Sequence, residues 1–382
     1  MQWKGIVAAL LLLLSPQLWA ETWQQTEQNA RGQSVYFHAW GGSPEINAYL
    51  RWVKKELQVK YGIDFIHVKV SDIAETTQLL LSEKKAGKNH GGSVDMVWIN
   101  GENFKAMKQQ QLLFGPFVER LPNWQLVDQS LPVTLDFTEP TDGYEAPWGV
   151  GQLVFIYDHQ QLNNPPKNFA ELLSYASAFP GTISYPQPPD FHGTSFLKAA
   201  LLELTDNPEA LYLPVDPKTF EQVTAPLWQY LDLLHKVAWR QGKQFLSGSS
   251  QSMQLLNDGE IDLAIAFNPN AAFAGAVSGT LPPTAKAHAF EQGALTNIHF
   301  LAIPWNSDHS AAAQVTINFL LSPVAQRRKM DMSIWGDPTV LRADAIDPDN
   351  QGYAMALFPA INEPHPSWQS ALEQAWLKRY GQ

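Results

Sequence analysis

The feature that most limits what this chain can fold into is an early alternation of short apolar strands with amphipathic helices. Residues 34–40 are strand-like, and Ile46, Tyr49, Leu50, Val53 and Leu57 then recur at helical spacing, with Ser43 placed to cap and Pro44 at the first helical position. A second strand is predicted over 63–70, a helix over 73–85 and a short buried strand over 94–99. Strands separated by helices cannot pair as hairpins, so the pattern implies an α/β lobe with a mainly parallel sheet.

The pattern has an echo further on. Gly92-Ser93-Val94-Asp95-Met96-Val97 is matched by Gly259-Glu260-Ile261-Asp262-Leu263-Ala264, each preceded by a helix and followed shortly by an asparagine. Either two sheets share one strand-entry design, or two common strand entries coincide; no tandem repeat accompanies them. Between the two lies 146–158, where Gly149 and Gly151 let an extended segment bend, and 298–305 reads as an extended return. The expected fold is therefore α/β with two lobes, each a mainly parallel sheet flanked by helices, joined by crossing strands. Lobe one would hold 21–150 and 296–345, and lobe two 151–295 and 346–382, the last helix packing on lobe two.

The first 20 residues read as a leader. Met1 and Lys4 give a positive start, 6–14 is an apolar run, and Leu18-Trp19-Ala20 ends on a small residue suited to cleavage. No later stretch approaches the roughly 20 apolar residues that span a bilayer, so no membrane insertion is expected. The 382 residues carry a net charge of −11, and the densest basic group is only Lys84, Lys85 and Lys88, which disfavours nucleic acid. With no cysteine, the chain has no disulfide, no thiolate site and no lipid-modified cysteine. A secreted, untethered protein needs a second membrane to retain it, which implies a Gram-negative periplasm.

Enzyme signatures are missing. There is no G-x-S-x-G, H-E-x-x-H or G-x-x-x-x-G-K, and Gly149-Val150-Gly151 leads into a strand without a third glycine. The ten histidines show no helical pairing, so neither a metal nor a cofactor is expected. In open α/β sheets ligands gather beyond the carboxyl ends of strands, which selects the exit loops. These are Trp40, Gly41 and Gly42 after the first strand, and Asn100 and Glu102 after the third, with Trp148 at the crossing. Lobe two offers Tyr185, then Asp190, His192, Thr194 and Ser195 before an apolar helix, whose amides could hold a phosphate, and Asn268 and Asn270 after the echoing strand. Asp190, Thr194 and Ser195 serve equally well as helix caps, and His192 as an ordinary loop histidine. Fourteen tryptophans cannot all line one site; Trp40, Trp148 and Trp335 adjoin loops or hinges with neighbouring glycines and are the cleft candidates.

The segments VYFHAWGG, VDMVWINGENF, APWGVGQLVFIYD, LLNDGEIDLAIAFN and NFLLSPVAQRRKM, in that order, resemble family 1 extracellular solute-binding proteins, the type II periplasmic binding proteins of ABC importers. The resemblance implies two α/β lobes that close on a small-molecule ligand and are then recognised by an inner-membrane permease, with no catalysis; a monomer is expected. It carries Trp40, Asn100, Trp148, Tyr185, Thr194, Ser195, Asn268 and Trp335 over as cleft positions. Ferric-binding relatives use adjacent tyrosines, which this chain lacks, so iron is disfavoured. Grouping with thiamine-type systems makes thiamine or a phosphorylated thiamine the expected ligand, with Glu102 balancing its charge; a polyamine, a sugar and a periplasmic enzyme are the alternatives.

Overall fold

Local chemistry places the first elements where the sequence does. The helix Pro44–Tyr61 begins at Ser43, whose Oγ accepts from the Ile46 amide at 3.2 Å, and ends at Gly62, held at φ 68° in the left-handed region. Asp72 caps the helix Ile73–Lys85 through the Ala74 amide (2.8 Å). These helices separate the strands β1 (Ser34–Trp40), β2 (Asp64–Val70) and β3 (Met96–Ile99), and β1 pairs in parallel with both of the others. The computed structural model describes residues 22–348 and 357–381; the leader expected over 1–20 lies outside the described residues.

A two-stranded hairpin follows, β4 (Leu135–Asp136) and β5 (Glu139–Pro140), and then the crossing strands β6 (Glu145–Gln152) and β7 (Val154–Asp158). β8 (Ala264–Ala266), β9 (Ala285–His288), β10 (Ala294–Ala302) and β11 (Ala360–Asn362) complete the set. One sheet runs β11-β10-β3-β1-β2 with β6 also paired to β10; the other runs β8-β7-β9. The first is mixed, with three of its five pairings parallel, and the second departs from the mainly parallel sheet expected. β10 is antiparallel to β3 and β6, and β7 is antiparallel to both its neighbours. The reason is topological: β10 arrives through the crossing rather than through a helical return and so enters the first sheet against β3, while β6, antiparallel to β10, runs the same way as β1 and β3.

Two principal apolar cores result. The first gathers Phe37, Phe65, Met96 and Ile99 from the strands with Tyr49, Val53, Phe104 and Phe319 from its helices. The second collects Phe155, Phe169, Phe196, Leu231, Trp368 and Trp376. β7 serves two faces by alternation: Phe155 and Tyr157 point into the second core, while Val154 and Ile156 enter a smaller cluster with Leu255, Ile261 and Leu281. The helix Ser367–Tyr380 lies on the second core through Trp368, Leu372 and Trp376.

The crossing segments are pinned to one another where they pass between cores. β6 changes core between Val150 and Leu153, and β10 between Leu295 and Ile298. At that point the buried Gln152 amide donates to Thr296 Oγ1 (3.0 Å) and the Phe358 carbonyl (2.9 Å) and accepts from the Phe358 amide (2.9 Å). One side chain thus ties two crossing strands to the segment leading into β11, satisfying its own polar atoms in a place water does not reach.

Candidate functional site

Charged side chains from both cores converge at the seam, and their placement begins with the helix Phe191–Leu204. Its buried face repeats Thr194, Lys198 and Leu201 at helical spacing, so Lys198 is carried inward by register. Lys198 is 1% exposed and its Nζ lies 2.7 Å from Glu363 Oε2, itself 1% exposed. The two are close but not aligned as a hydrogen bond. The ammonium also sits 4.6 Å from the Phe137 ring centroid and 5.6 Å from that of Phe191.

Phe137 comes from the hairpin turn between β4 and β5 and holds φ 54°, an uncommon conformation for a bulky residue. Its ring lies over Gly101, where a Cβ would come within 2.7 Å of it. The Gly101 amide donates to Asp136 Oδ2 at 2.5 Å, so this helix N-terminus is held by Asp136 of the hairpin, while Asn100 makes no capping bond. Glu102 stands next in the helix Gly101–Gln109. From the other side Glu373 accepts from Thr194 Oγ1 (3.0 Å) and Gln369 Nε2 (2.8 Å).

Electrostatically the seam is short of positive charge. Burial raises Glu102 to about 7; Lys198 opposes the rise, and Glu373 and Asp72 add to it. Burial pushes Asp136 well above the carboxylate range, against the Gly101 amide and with Glu102 and Glu363 adding. Glu363 and Glu373 are also raised, first by burial, with Lys198 pulling both down. Four carboxyl groups therefore share one ammonium. Asp136 Oδ1 and Ser195 Oγ are buried without a hydrogen-bond partner, as are both oxygens of the neighbouring Glu145. Among the described residues no group of three or more His, Cys, Asp or Glu could hold a metal ion.

The remaining candidates fall into three places. Asn268 and Asn270 reach across the seam: Asn268 Nδ2 donates to the Trp335 carbonyl (3.4 Å) and Asn270 Nδ2 to the Gly336 carbonyl (2.9 Å). Trp335 and Trp148 belong to a ring cluster with Tyr49 and Trp98, the two tryptophan centroids 5.2 Å apart. Trp148 is fully buried there, and Tyr185 is buried in the second core with its hydroxyl taken by His235 Nε2 (2.7 Å) and Trp376 Nε1 (2.8 Å). Both are core rings rather than cleft walls, because each has apolar partners on every side that the sequence could not reveal. Trp40 ends β1 half-buried with its indole over Gly42, and the Gly41 amide is used by the Val70 carbonyl (3.2 Å).

The phosphate-holding helix terminus is corrected by the structure. Asp190 Oδ1 accepts from the His192 and Gly193 amides (2.9 and 3.2 Å), so the expected free donors are already bonded to a carboxylate. His192 lies beside that carboxylate, its Nδ1 3.4 Å from Asp190 Oδ1. Sequence reasoning missed Lys198, Asp136, Phe137, Phe191, Glu363 and Glu373 as site residues. A signal existed for one of them: Lys198 is the lone Lys or Arg of a helix whose other buried residues are uncharged.

Two α/β cores joined by crossing strands, with charged groups from both meeting at the seam, make a two-lobed α/β architecture. Solved structures agree on the fold. The chain superposes on the periplasmic binding protein AfuA from Actinobacillus pleuropneumoniae with a TM-score of 0.66 and 13% identity, covering 91% of this chain and 99% of that one. A periplasmic thiamin binding protein matches with a TM-score of 0.63 and 17% identity over 91% and 95%. Residues 52–351 match the model of the bacterial extracellular solute-binding protein family. Protein YnjB of Escherichia coli (strain K12) is 45% identical over 383 residues, covering 99% of this chain and 98% of YnjB. The chain belongs to the bacterial extracellular solute-binding proteins of ABC transporters.

Proposed function

We propose that this protein works in the periplasm as a monomer, captures a small organic cation at the seam and delivers it to an inner-membrane permease, without chemistry of its own. The observation that carries the ligand class is the excess of carboxyl groups at the seam, buried Asp136 and Glu363 and half-buried Glu102 and Glu373, over the ammonium of Lys198. Buried carboxylates are costly unless paired, and an arriving cation supplies the missing partner. Thiamine is the specific solute put forward, since it joins a fixed positive charge to an aromatic ring and would meet both carboxylates and the faces of Phe137 and Phe191. A phosphorylated thiamine fits less well because Asp190 already holds the helix amides. The second reading is a polyamine, favoured by the number of carboxyl groups; a sugar would leave them unbalanced. Calorimetry and thermal shift with thiamine, its phosphates, putrescine, spermidine and glucose test the proposal. A cation at about 100 times its Kd should stabilise by about 2.7 kcal/mol. Silence towards every thiamine form removes thiamine, and a response to glucose alone overturns the cation class.

A further inference from the structure

We propose that the Lys198 ammonium is a built-in stand-in for the solute: it occupies the cation seat at the seam, and the captured cation binds by displacing it. The inference rests on the cation reading above and adds a competitor that belongs to the protein. Its ground is the shape of the surroundings. The ammonium has an aromatic face at 4.6 Å (Phe137), a second at 5.6 Å (Phe191) and a carboxylate at 2.7 Å (Glu363), an arrangement suited to any compact organic cation. These groups come from separate parts of the chain: Phe137 from the hairpin beside the first core, Phe191 from the second, Glu363 from beyond β11. The cage is therefore complete only when the seam is shut.

The lysine is also held in a way that permits release. An ammonium has three protons to donate, yet Lys198 meets one carboxylate in poor alignment and no other oxygen within hydrogen-bonding geometry. Its four-carbon stem is flexible, so the charge can swing out of the cage while the helix stays in place. Ser195 Oγ and Asp136 Oδ1, both buried and unbonded, leave polar capacity near the cage that Lys198 does not use. The consequence is a filter. A bare monovalent ion gains nothing over the resident ammonium, whereas a solute bringing ring contacts or a second charge does.

Two variants test this. Lys198→Met keeps the bulk of the side chain and removes the competitor, so the solute cation that binds the wild type, read by calorimetry with thiamine and spermidine, should bind about tenfold more tightly or better. Lys198→Ala vacates the cage, and butylammonium should raise its melting temperature while 1-butanol does not, with no such effect on the wild type. Weaker cation binding by Lys198→Met, or equal responses of Lys198→Ala to butylammonium and 1-butanol, would overturn the inference. Should Lys198→Ala not fold, the Lys198→Met comparison decides alone. The two proposals fail separately: rescue by butylammonium with no thiamine or polyamine binding to the wild type keeps the seat and removes those solutes, while wild-type thiamine binding unchanged in Lys198→Met keeps the solute and removes the competitor.

Discussion

Around Lys329 every buried charge meets a counterpart, whereas around Lys198 carboxyl groups outnumber the ammonium. Lys329 Nζ donates to the Asp337 carboxylate and to the Pro338 carbonyl (2.8 Å), and the other Asp337 oxygen meets His299 Nε2 at 3.2 Å. Bare backbone at Gly149 lets this group close up, since a Cβ there would stand 2.1 Å from Asp337 Oδ2. The Lys329 cluster belongs to one core and its crossing strands; the Lys198 cluster draws on both cores. A balanced, saturated group is architecture, and an unbalanced one with unbonded oxygens is where a further charge can enter.

The sharpest way to break this contrast is to remove each lysine in turn. Lys329→Met strands Asp337 without its partner and should cost about 3–5 kcal/mol in urea unfolding. Lys198→Met should cost clearly less, about 1–3 kcal/mol, because Glu363 is already raised and can take up a proton. Equal losses would erase the distinction between the two clusters.

Glu102→Gln comes next in size. It should weaken capture of the cation about tenfold, or about 1.4 kcal/mol, and leave unfolding in the absence of solute little changed below pH 4.5, where Glu102 is protonated either way. Glu102 also sets a pH dependence. Its carboxyl titrates near 7 when folded and near 4.5 otherwise, so the folded protein holds the proton longer, and this group's contribution to stability is full below 4.5 and falls away as pH rises through 7. Cation affinity should run the opposite way, strengthening from pH 5 to about 7.5 with proton release on binding, measured by calorimetry in buffers of different ionisation enthalpy. Glu102→Gln should flatten that profile; an unchanged profile would assign it to another group.

The smallest effect concerns the reach across the seam. Asn270→Ala removes the 2.9 Å bond to the Gly336 carbonyl and should cost about 0.5–1.5 kcal/mol of closure, seen as a few-fold loss of affinity and a larger radius in small-angle scattering with solute present. No change in either would leave the bond without a part in closure.

Much of the fold was legible because local chemistry decides it. β1, the Ser43 cap with Pro44, the helix Ile73–Lys85 and the helix Ser367–Tyr380 all stand where periodicity and capping residues put them. Strand direction was not, since whether β7 runs with or against its neighbours depends on how the chain crosses, not on any residue in β7. Of the expected ligand positions, Glu102, Thr194, Asn268 and Asn270 stand at or across the seam where the ligand is proposed to bind. Trp148 and Tyr185 went to the core because an aromatic beside a glycine looks the same whether its neighbours are solvent or other rings. Asp136, Phe137 and Glu363 come from a short hairpin and a crossing tail that carry no motif, and only long-range packing brings them to Lys198.

The central claim is that the carboxyl-rich seam selects positive charge. Native mass spectrometry of the protein purified from its native host without denaturation tests it most directly, because the molecule bound in the cell is weighed and then identified on release. A cationic solute is the expected result, lost in Glu102→Gln; an anionic or neutral solute bound at one copy per chain would contradict the account.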